Sequence, residues 1–250
     1  MDSKKPLQGK VCLITGASRG LGRALALEFG RQGASLVINS RPSSQSDLRQ
    51  VESELKKIGV DAFSILADVS VRADVERLAG EALAHFRQVD VLVNNASSLG
   101  PTPMPYLLDY PLEDFSAVLQ TNLVGPFQLT RALVGQMLAR RSGSIINVSS
   151  DAGVVGYATW GAYGISKAAL DHLTRTWSAE LTGTGVRINS VDPGEMDTAM
   201  KRASEPDGDA SAWAKPETVT PVFVYLASDE SSSVNGERFS AQEFSRVTPR

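Results

Sequence analysis

Apolar and polar residues alternate in blocks along this chain. Short aliphatic and β-branched runs at 10–15 (KVCLIT), 34–39, 89–95 (VDVLVNN), 143–150 (GSIINVSS) and 186–192 (VRINSVD) are separated by longer stretches whose apolar residues recur every three to four positions. The short runs predict buried strands and the longer stretches amphipathic helices. The strand at 10–15 stops at Gly16, and a glycine turn feeds a helix with Leu21, Ala24, Leu25 and Leu27 on one face, Glu28 and Arg31 opposite, and Gly33 as terminator. After the strand at 34–39 come a polar helix at 47–58 closed by Gly59, a strand at 61–69, a helix at 71–86 and the strand at 89–95. Residues 98–111 (SLGPTPMPYLLDYP) are too rich in proline and aromatics for regular structure. A long helix at 112–140, the strand at 143–150, a helix opening at Tyr163 and the strand at 186–192 follow. Residues from about 199 to 215 are polar, with Pro206 and Gly208, and read as a mobile loop or lid. A helix at 217–227, a last strand at 235–241 and the tail FSRVTPR end the chain.

Strands that alternate with helices, several of them apolar on both faces, imply an α/β fold: a Rossmann-type, doubly wound parallel sheet of about seven strands with helices on both faces. The 250 residues, 42% hydrophobic and 21% charged, suit a single domain with a core at about 10–241 and short tails. A net charge of −3 without a lysine-arginine block points to a small-molecule ligand and away from nucleic acid or an anionic membrane. The single cysteine, Cys12, lies in VCLI and reads as a buried thiol of a reducing compartment. The first ten residues lack the apolar core of a signal peptide, so the expected location is cytoplasmic. His85 and His172 each fall on a helix without a triad around them, and no cluster has metal-ligand spacing.

Candidate chemistry concentrates in residues 149–167, SSDAGVVGYATWGAYGISK. Ser150 precedes Tyr163 by thirteen residues and Lys167 follows it by four. On a helix the last two share a face, roughly 6 Å apart along the axis. A fixed ammonium beside a phenol is expected to lower the phenol pKa from its usual value near 10, which would suit Tyr163 to general acid-base catalysis near neutral pH, with Ser150 holding the oxygen that exchanges the proton. Tyr157 and Trp160 lie between them, and with Met104 and Tyr106 are pocket-lining or plain core residues.

A second constellation is the turn Thr15-Gly16-Ala17-Ser18-Arg19-Gly20-Leu21-Gly22, of the form G-x-x-x-G-x-G. Glycines after a strand and before a helix permit close approach of a pyrophosphate to free N–H groups; the plain alternative is a tight turn that needs glycine only for its backbone. About 20 residues beyond the turn, where an NAD-binding fold keeps a carboxylate for the ribose, stand Ser40 and Arg41. With Arg19 in the turn, two guanidinium groups and no acid favour the 2′-phosphate of NADP(H) over NAD(H).

From about residue 10 to 241 the chain resembles the short-chain dehydrogenase/reductase (SDR) family, near its 3-oxoacyl-[acyl-carrier-protein] reductase-like members. The motifs that carry the resemblance occur in order: the glycine turn, Asp68-Val69, Asn94-Asn95-Ala96, Asn122, Ser150, Tyr163-x-x-x-Lys167, and Pro193-Gly194 leading to Thr198. The resemblance implies that Tyr163 donates the proton to a substrate carbonyl, that Lys167 tunes it and binds the nicotinamide ribose, that Ser150 hydrogen-bonds the carbonyl oxygen and that Asn122 supports a water in the proton relay. It also implies that Gly16, Ser18, Arg19, Gly20, Leu21 and Gly22 face the cofactor. Asp68 and Val69 would meet its adenine, Asn95 and Ala96 its ribose, and Pro193, Gly194, Met196 and Thr198 its nicotinamide end. A homodimer or homotetramer is implied as well.

Four departures stand out. Ser97 replaces the glycine that usually ends Asn-Asn-Ala-Gly, which predicts a local adjustment without lost binding. Asp192 and Glu195 flank Pro193-Gly194 where small or apolar residues are usual. They attract a cationic or polyhydroxylated substrate or, the favoured reading, are solvated. The segment from 198 to 217 is short, which predicts an open pocket, and the usual glycine pair after the last strand is missing. The function expected is an NADP(H)-dependent oxidoreductase that interconverts a carbonyl and a secondary alcohol; the alternative is an NADP-responsive binding or scaffold protein on the same fold.

Overall fold

Seven parallel strands form one sheet in the order β3-β2-β1-β4-β5-β6-β7. The computed structural model describes residues 5–245, so the ends of the two expected tails, 1–4 and 246–250, lie outside the described residues. The strands are β1 (Val11–Ile14), β2 (Ser35–Ser40), β3 (Ala62–Leu66), β4 (Val91–Asn94), β5 (Gly143–Val148), β6 (Val186–Asp192) and β7 (Arg238–Ser240). The helices are α1 (Gly20–Arg31), α2 (Gln45–Lys57), α3 (Arg72–Phe86), α4 (Leu112–Leu119), α5 (Gly125–Arg140), α6 (Gly161–Glu180), α7 (Ala199–Ser204) and α8 (Thr220–Ala227).

Strand periodicity sorts the core into two layers. Cys12, Ile14, Leu36, Ile38, Val91, Val93 and Ile146 pack with Phe29 of α1, Leu55 of α2 and Phe223 of α8. Their neighbours Leu13, Val37, Leu92, Ile145 and Ile188 face the other way, onto Leu78 of α3, Leu133 and Met137 of α5 and Trp177 of α6. The sheet is thus covered on both faces, which is why its strands read as continuous apolar runs. Burial also pushes the Cys12 thiol pKa far up, leaving it inert as a nucleophile.

The order reverses between β1 and β4, where Cys12 pairs with Val91 and Ile14 with Val93. Loops after the two strands diverge there and open a crevice at the carboxyl ends of the strands. Thr15 pins the seam. Its Oγ1 donates to the Val93 carbonyl (3.3 Å) and accepts from the N–H groups of Asn95 and Ala96 (3.0 Å each).

Two expected helices differ in detail. The stretch 112–140 is interrupted by one π-helical turn, Gln120–Val124, between α4 and α5. Pro126 has no N–H for the carbonyl of Asn122, and the Gly125 N–H bonds the Gln120 carbonyl instead. The helix expected from 217 begins at Thr220, because Pro216–Val219 forms a 3-10 turn with Pro216 at its start. The polar stretch after β6 contains α7, and it returns to the body through paired backbone bonds, Asp197 N–H to Ala214 O (2.9 Å) and Ala214 N–H to Glu195 O (3.0 Å). Among the described residues, no helix is long and apolar enough to cross a membrane.

Candidate active site

Loops at the carboxyl ends of the strands enclose a cleft of about 610 Å³. The turn after β1 contributes Gly16, Ser18, Arg19, Gly20, Leu21 and Gly22; the end of β2 contributes Ser40 and the exposed Arg41. Asp68 and Val69 follow β3, Asn95 and Ala96 follow β4, Tyr163 and Lys167 come from α6, and Pro193, Met196 and Thr198 follow β6. Gly194 lies in the neighbouring cavity instead, and Asn122 lines neither space.

The glycine turn is shaped by close approach. Gly16 has φ +65°, and a Cβ there would sit 2.9 Å from the Ala96 Cα; a Cβ on Gly22 would strike the Gly16 carbonyl. The Asn95 side chain locks this geometry, donating to the carbonyls of Thr15 (2.8 Å) and Gly16 (3.1 Å). The first turn of α1 carries no side-chain cap and no acidic residue. Its free N–H groups and positive dipole end therefore suit an anionic group in the cleft. Asn39, buried at the end of β2, also lines the cleft, where its Nδ2 is spent on the carbonyls of Ile65 (3.1 Å) and Ala67 (3.0 Å). No carboxylate stands at that strand end; the donors there are Ser40 and Arg41.

A smaller cavity of about 280 Å³ adjoins the cleft and is lined by Ser150, Tyr157, Trp160, Tyr163 and Asp192. Tyr163 is the one ionisable side chain among the described residues that lines both spaces. It sits in the first turn of α6, buried, with its ring edge-on to Trp160 at 5.6 Å. Lys167, also buried, has its Nζ 5.4 Å from the Tyr163 ring centre and donates to the Val148 carbonyl at 2.7 Å. The Ser150 hydroxyl donates to Asp151 Oδ1 (3.0 Å) and accepts from the Ala152 N–H (3.2 Å). Asn122, in the π turn, is fully engaged: Oδ1 accepts from the Ser98 N–H (2.8 Å) and the Ser97 hydroxyl (3.1 Å), and Nδ2 donates to the Ser98 carbonyl and Ser166 Oγ (2.9 Å each). Its side chain braces the loop after β4.

The expectation that Lys167 lowers the Tyr163 pKa is overturned for the protein alone. Burial pushes the phenol up to about 12; the neighbouring Ser150 and Ser97 hydroxyls work against that, while the carboxylates of Asp192 and Asp151 reinforce it. The same burial brings Lys167 down to about 8, against the opposing fields of Asp171 and Asp192. Spacing put the two residues on one face, but the hydrogen bond of Lys167 goes to a backbone carbonyl, and its charge is itself penalised. Tyr163 thus holds its proton at neutral pH.

Of the flanking carboxylates expected to be solvated, Glu195 is exposed as expected and Asp192 is not. Asp192 is buried and takes hydrogen bonds from the Gly194 N–H (2.9 Å) and Arg238 (3.1 Å). Glu195 pairs with Lys201 at 2.6 Å, and Lys201 also bonds Glu205 (2.5 Å). Ser97 keeps an ordinary backbone and spends its added hydroxyl on Asn122. Tyr157 and Trp160 line the small cavity, Met104 packs behind Tyr163, and Tyr106 is exposed. His85 stacks on Phe63 at 4.3 Å, away from the site.

This architecture has known counterparts. The family model for short chain dehydrogenases matches residues 10–209. The chain belongs to the short-chain dehydrogenase family. A 3-oxoacyl-[acyl-carrier-protein] reductase of Thermotoga maritima is 36% identical over 239 residues, covering 92% of this chain and 95% of the relative. Among solved structures, a Pseudomonas syringae chain assigned to the short chain dehydrogenases superposes with a TM-score of 0.90 at 35% identity, over 97% of this chain and 98% of that one. A Shigella flexneri chain with the same assignment, complexed with NADP, has a TM-score of 0.88 at 29% identity, over 96% of this chain and 100% of that one. The sequence motifs mark the residues that line the two spaces but not their supports. Arg238 and the buried Asp171 beside it escaped notice because nothing in linear order joins them to Ser150 or Asp192. The unfamiliar charge of Asp192 was the available signal that a cation had to lie near.

Proposed function

We propose that this short-chain dehydrogenase is an NADP(H)-dependent oxidoreductase that interconverts a carbonyl and a secondary alcohol, with Tyr163 as the acid and base. The observation that carries the reading is the position of Tyr163, whose phenol is shared by a nucleotide-sized cleft and a substrate-sized cavity. The cleft fits a dinucleotide: uncapped N–H groups of α1 and the Gly16 approach suit the pyrophosphate, and Arg41 and Ser40 suit the 2′-phosphate. NADPH bound there would supply a hydride to the carbonyl carbon.

The remaining steps belong to the chain. Ser150 at the rim of the small cavity hydrogen-bonds the carbonyl oxygen, and Tyr163 gives its proton to that oxygen as negative charge develops on it. The phenolate left behind is stabilised by the ammonium of Lys167, whose Nζ lies 5.4 Å from the ring centre. A phenol held near 12 carries its proton at neutral pH, the form that reduction needs, and is still a stronger acid than the alcohol that receives it. Alcohol oxidation needs the phenolate, so its rate is expected to rise steadily with pH.

A titration with NADPH and NADH, followed by nicotinamide fluorescence and repeated on Arg41→Asp, tests the cofactor. Exchanging an attractive charge for a repulsive one at the 2′-phosphate is expected to weaken NADPH about 100-fold or more and NADH less than about threefold. Equal loss of both nucleotides would remove Arg41 from the 2′-phosphate site. Absence of NADPH consumption across ketones, thioesters and sugars, with NADPH bound, would overturn the oxidoreductase reading.

A further inference from the structure

Arg238 begins the short last strand, at the far end of the sheet from the glycine turn. Its Nε donates to Asp171 Oδ2 (3.1 Å), and its Nη2 donates to Asp192 Oδ2 (3.1 Å) and to the main-chain carbonyl of Ser150 (3.0 Å). The carboxylates are the less exposed partners, with side chains 5% and 12% accessible against 30% for the guanidinium. One cation therefore spans three elements: α6 one turn beyond Lys167, the end of β6, and the residue that the proposed reaction uses to hold the carbonyl oxygen.

We propose that Arg238 is a positioning residue for that reaction, fixing the Ser150 main chain at the cavity rim and neutralising the buried pair Asp171 and Asp192 beside Tyr163 and Lys167. The inference rests on the reading of Ser150 and Tyr163 given above. The charges around the phenol are Lys167 and Asp171 from α6, Asp151 from the turn after β5, Asp192 from β6 and Arg238 from β7. Asp192 acts on both Tyr163 and Lys167, and Asp171 acts on Lys167. Without Arg238, Asp192 would keep only the Gly194 N–H, and Asp171, whose Oδ1 has no partner already, would keep no hydrogen bond at all in this site. Two buried, unpaired carboxylates disfavour a third negative charge on the nearby phenol. Asp192 depends on Arg238 for its counter-charge, whereas Arg238 without Asp192 still holds Asp171 and the Ser150 carbonyl.

The test is the pH dependence of secondary-alcohol oxidation with NADP+ in the wild-type protein and in Arg238→Met, Arg238→Lys, Asp192→Asn and the Asp192→Asn/Arg238→Met pair. The sign follows from the need for phenolate: unopposed carboxylates raise its pKa. In Arg238→Met the rising limb is expected about 0.5–1 pH unit higher, with kcat about tenfold lower and KM for NADP+ within about twofold. Arg238→Lys recovers part of the shift, Asp192→Asn moves the limb to lower pH, and the double variant returns towards wild type. A folded Arg238→Met protein whose limb stays in place, or a double variant that fails to recover, would reduce Arg238 to a structural tie. Should Arg238→Met not fold, the Asp192→Asn and double variants decide the same question. Ultraviolet titration of the phenol, by difference from Tyr163→Phe, reads the shift without turnover; if the wild type consumes no nucleotide, the functional reading fails while this measurement still judges Arg238.

Discussion

Tyr163→Phe is expected to lower kcat by about 10²–10⁴-fold in both directions while leaving the Kd for NADPH within about twofold. The substitution removes one oxygen and keeps the ring that packs on Trp160 and Ala152. Hydride addition to a carbonyl then leaves an alkoxide held by the Ser150 hydroxyl alone, an aliphatic alcohol and a far weaker acid than the phenol. Steady-state rates, nucleotide titration and a melting curve on the same preparation check this. The melting curve at pH 7 should be little changed, because the phenol is neutral there in both the folded and the unfolded chain and its raised pKa carries no stability at that pH. Activity within tenfold of wild type would remove Tyr163 as the acid.

The second large effect is expected at Lys167, where function and stability should move in opposite directions. Lys167→Met is expected to lower kcat/KM by about 10²–10³-fold, through lost support of the phenolate and lost contact with the cofactor ribose. The same variant should melt several degrees higher at pH 7. In the folded protein the ammonium pKa falls from 10.5 to about 8, whereas the unfolded chain keeps the ordinary value. Below pH 8 the fold must therefore bury a charge, at a cost of about 3 kcal/mol as an upper figure. The cost shrinks as pH rises from 8 and is gone above about 10.5. Wild type and variant should accordingly converge in stability at high pH. Thermal unfolding at pH 7 and pH 10 checks the sign; a variant less stable at pH 7 would mean that the bond to Val148 outweighs the buried charge.

Much of the fold is local information. Runs such as VCLI and VLVN are apolar on both faces, which already states that helices cover both sides of the sheet. The glycine turn is legible as a pattern between a strand and a helix, and Gly22 answers to the Gly16 carbonyl of its own unit, but Gly16 answers to Ala96, which follows β4 far along the chain. What resists reading depends on partners distant in sequence. The π turn needs both Pro126, visible in the sequence, and the press of Gly125 against the Val69 carbonyl, which is not. The sign of the Tyr163 shift fails because the helical spacing fixes which residues share a face, whereas desolvation is set by Leu99, Ala152 and Trp160 from elsewhere. Asp192 looks solvated in a loop-like string of polar residues, yet it terminates a buried strand, and its counter-ion is 46 residues away.

The sharing of one phenol by two cavities has a pharmacological consequence. Under the proposed reaction, a compound confined to the 280 Å³ space would compete with the carbonyl substrate and leave the nucleotide untouched. One that extends past the Tyr163 hydroxyl displaces both. The inhibition pattern of a ligand would therefore report on which side of the wall at Tyr163, Leu99 and Met196 it rests, and selectivity between relatives with similar nucleotide clefts is to be sought among Tyr157, Trp160 and Asp192 on the substrate side.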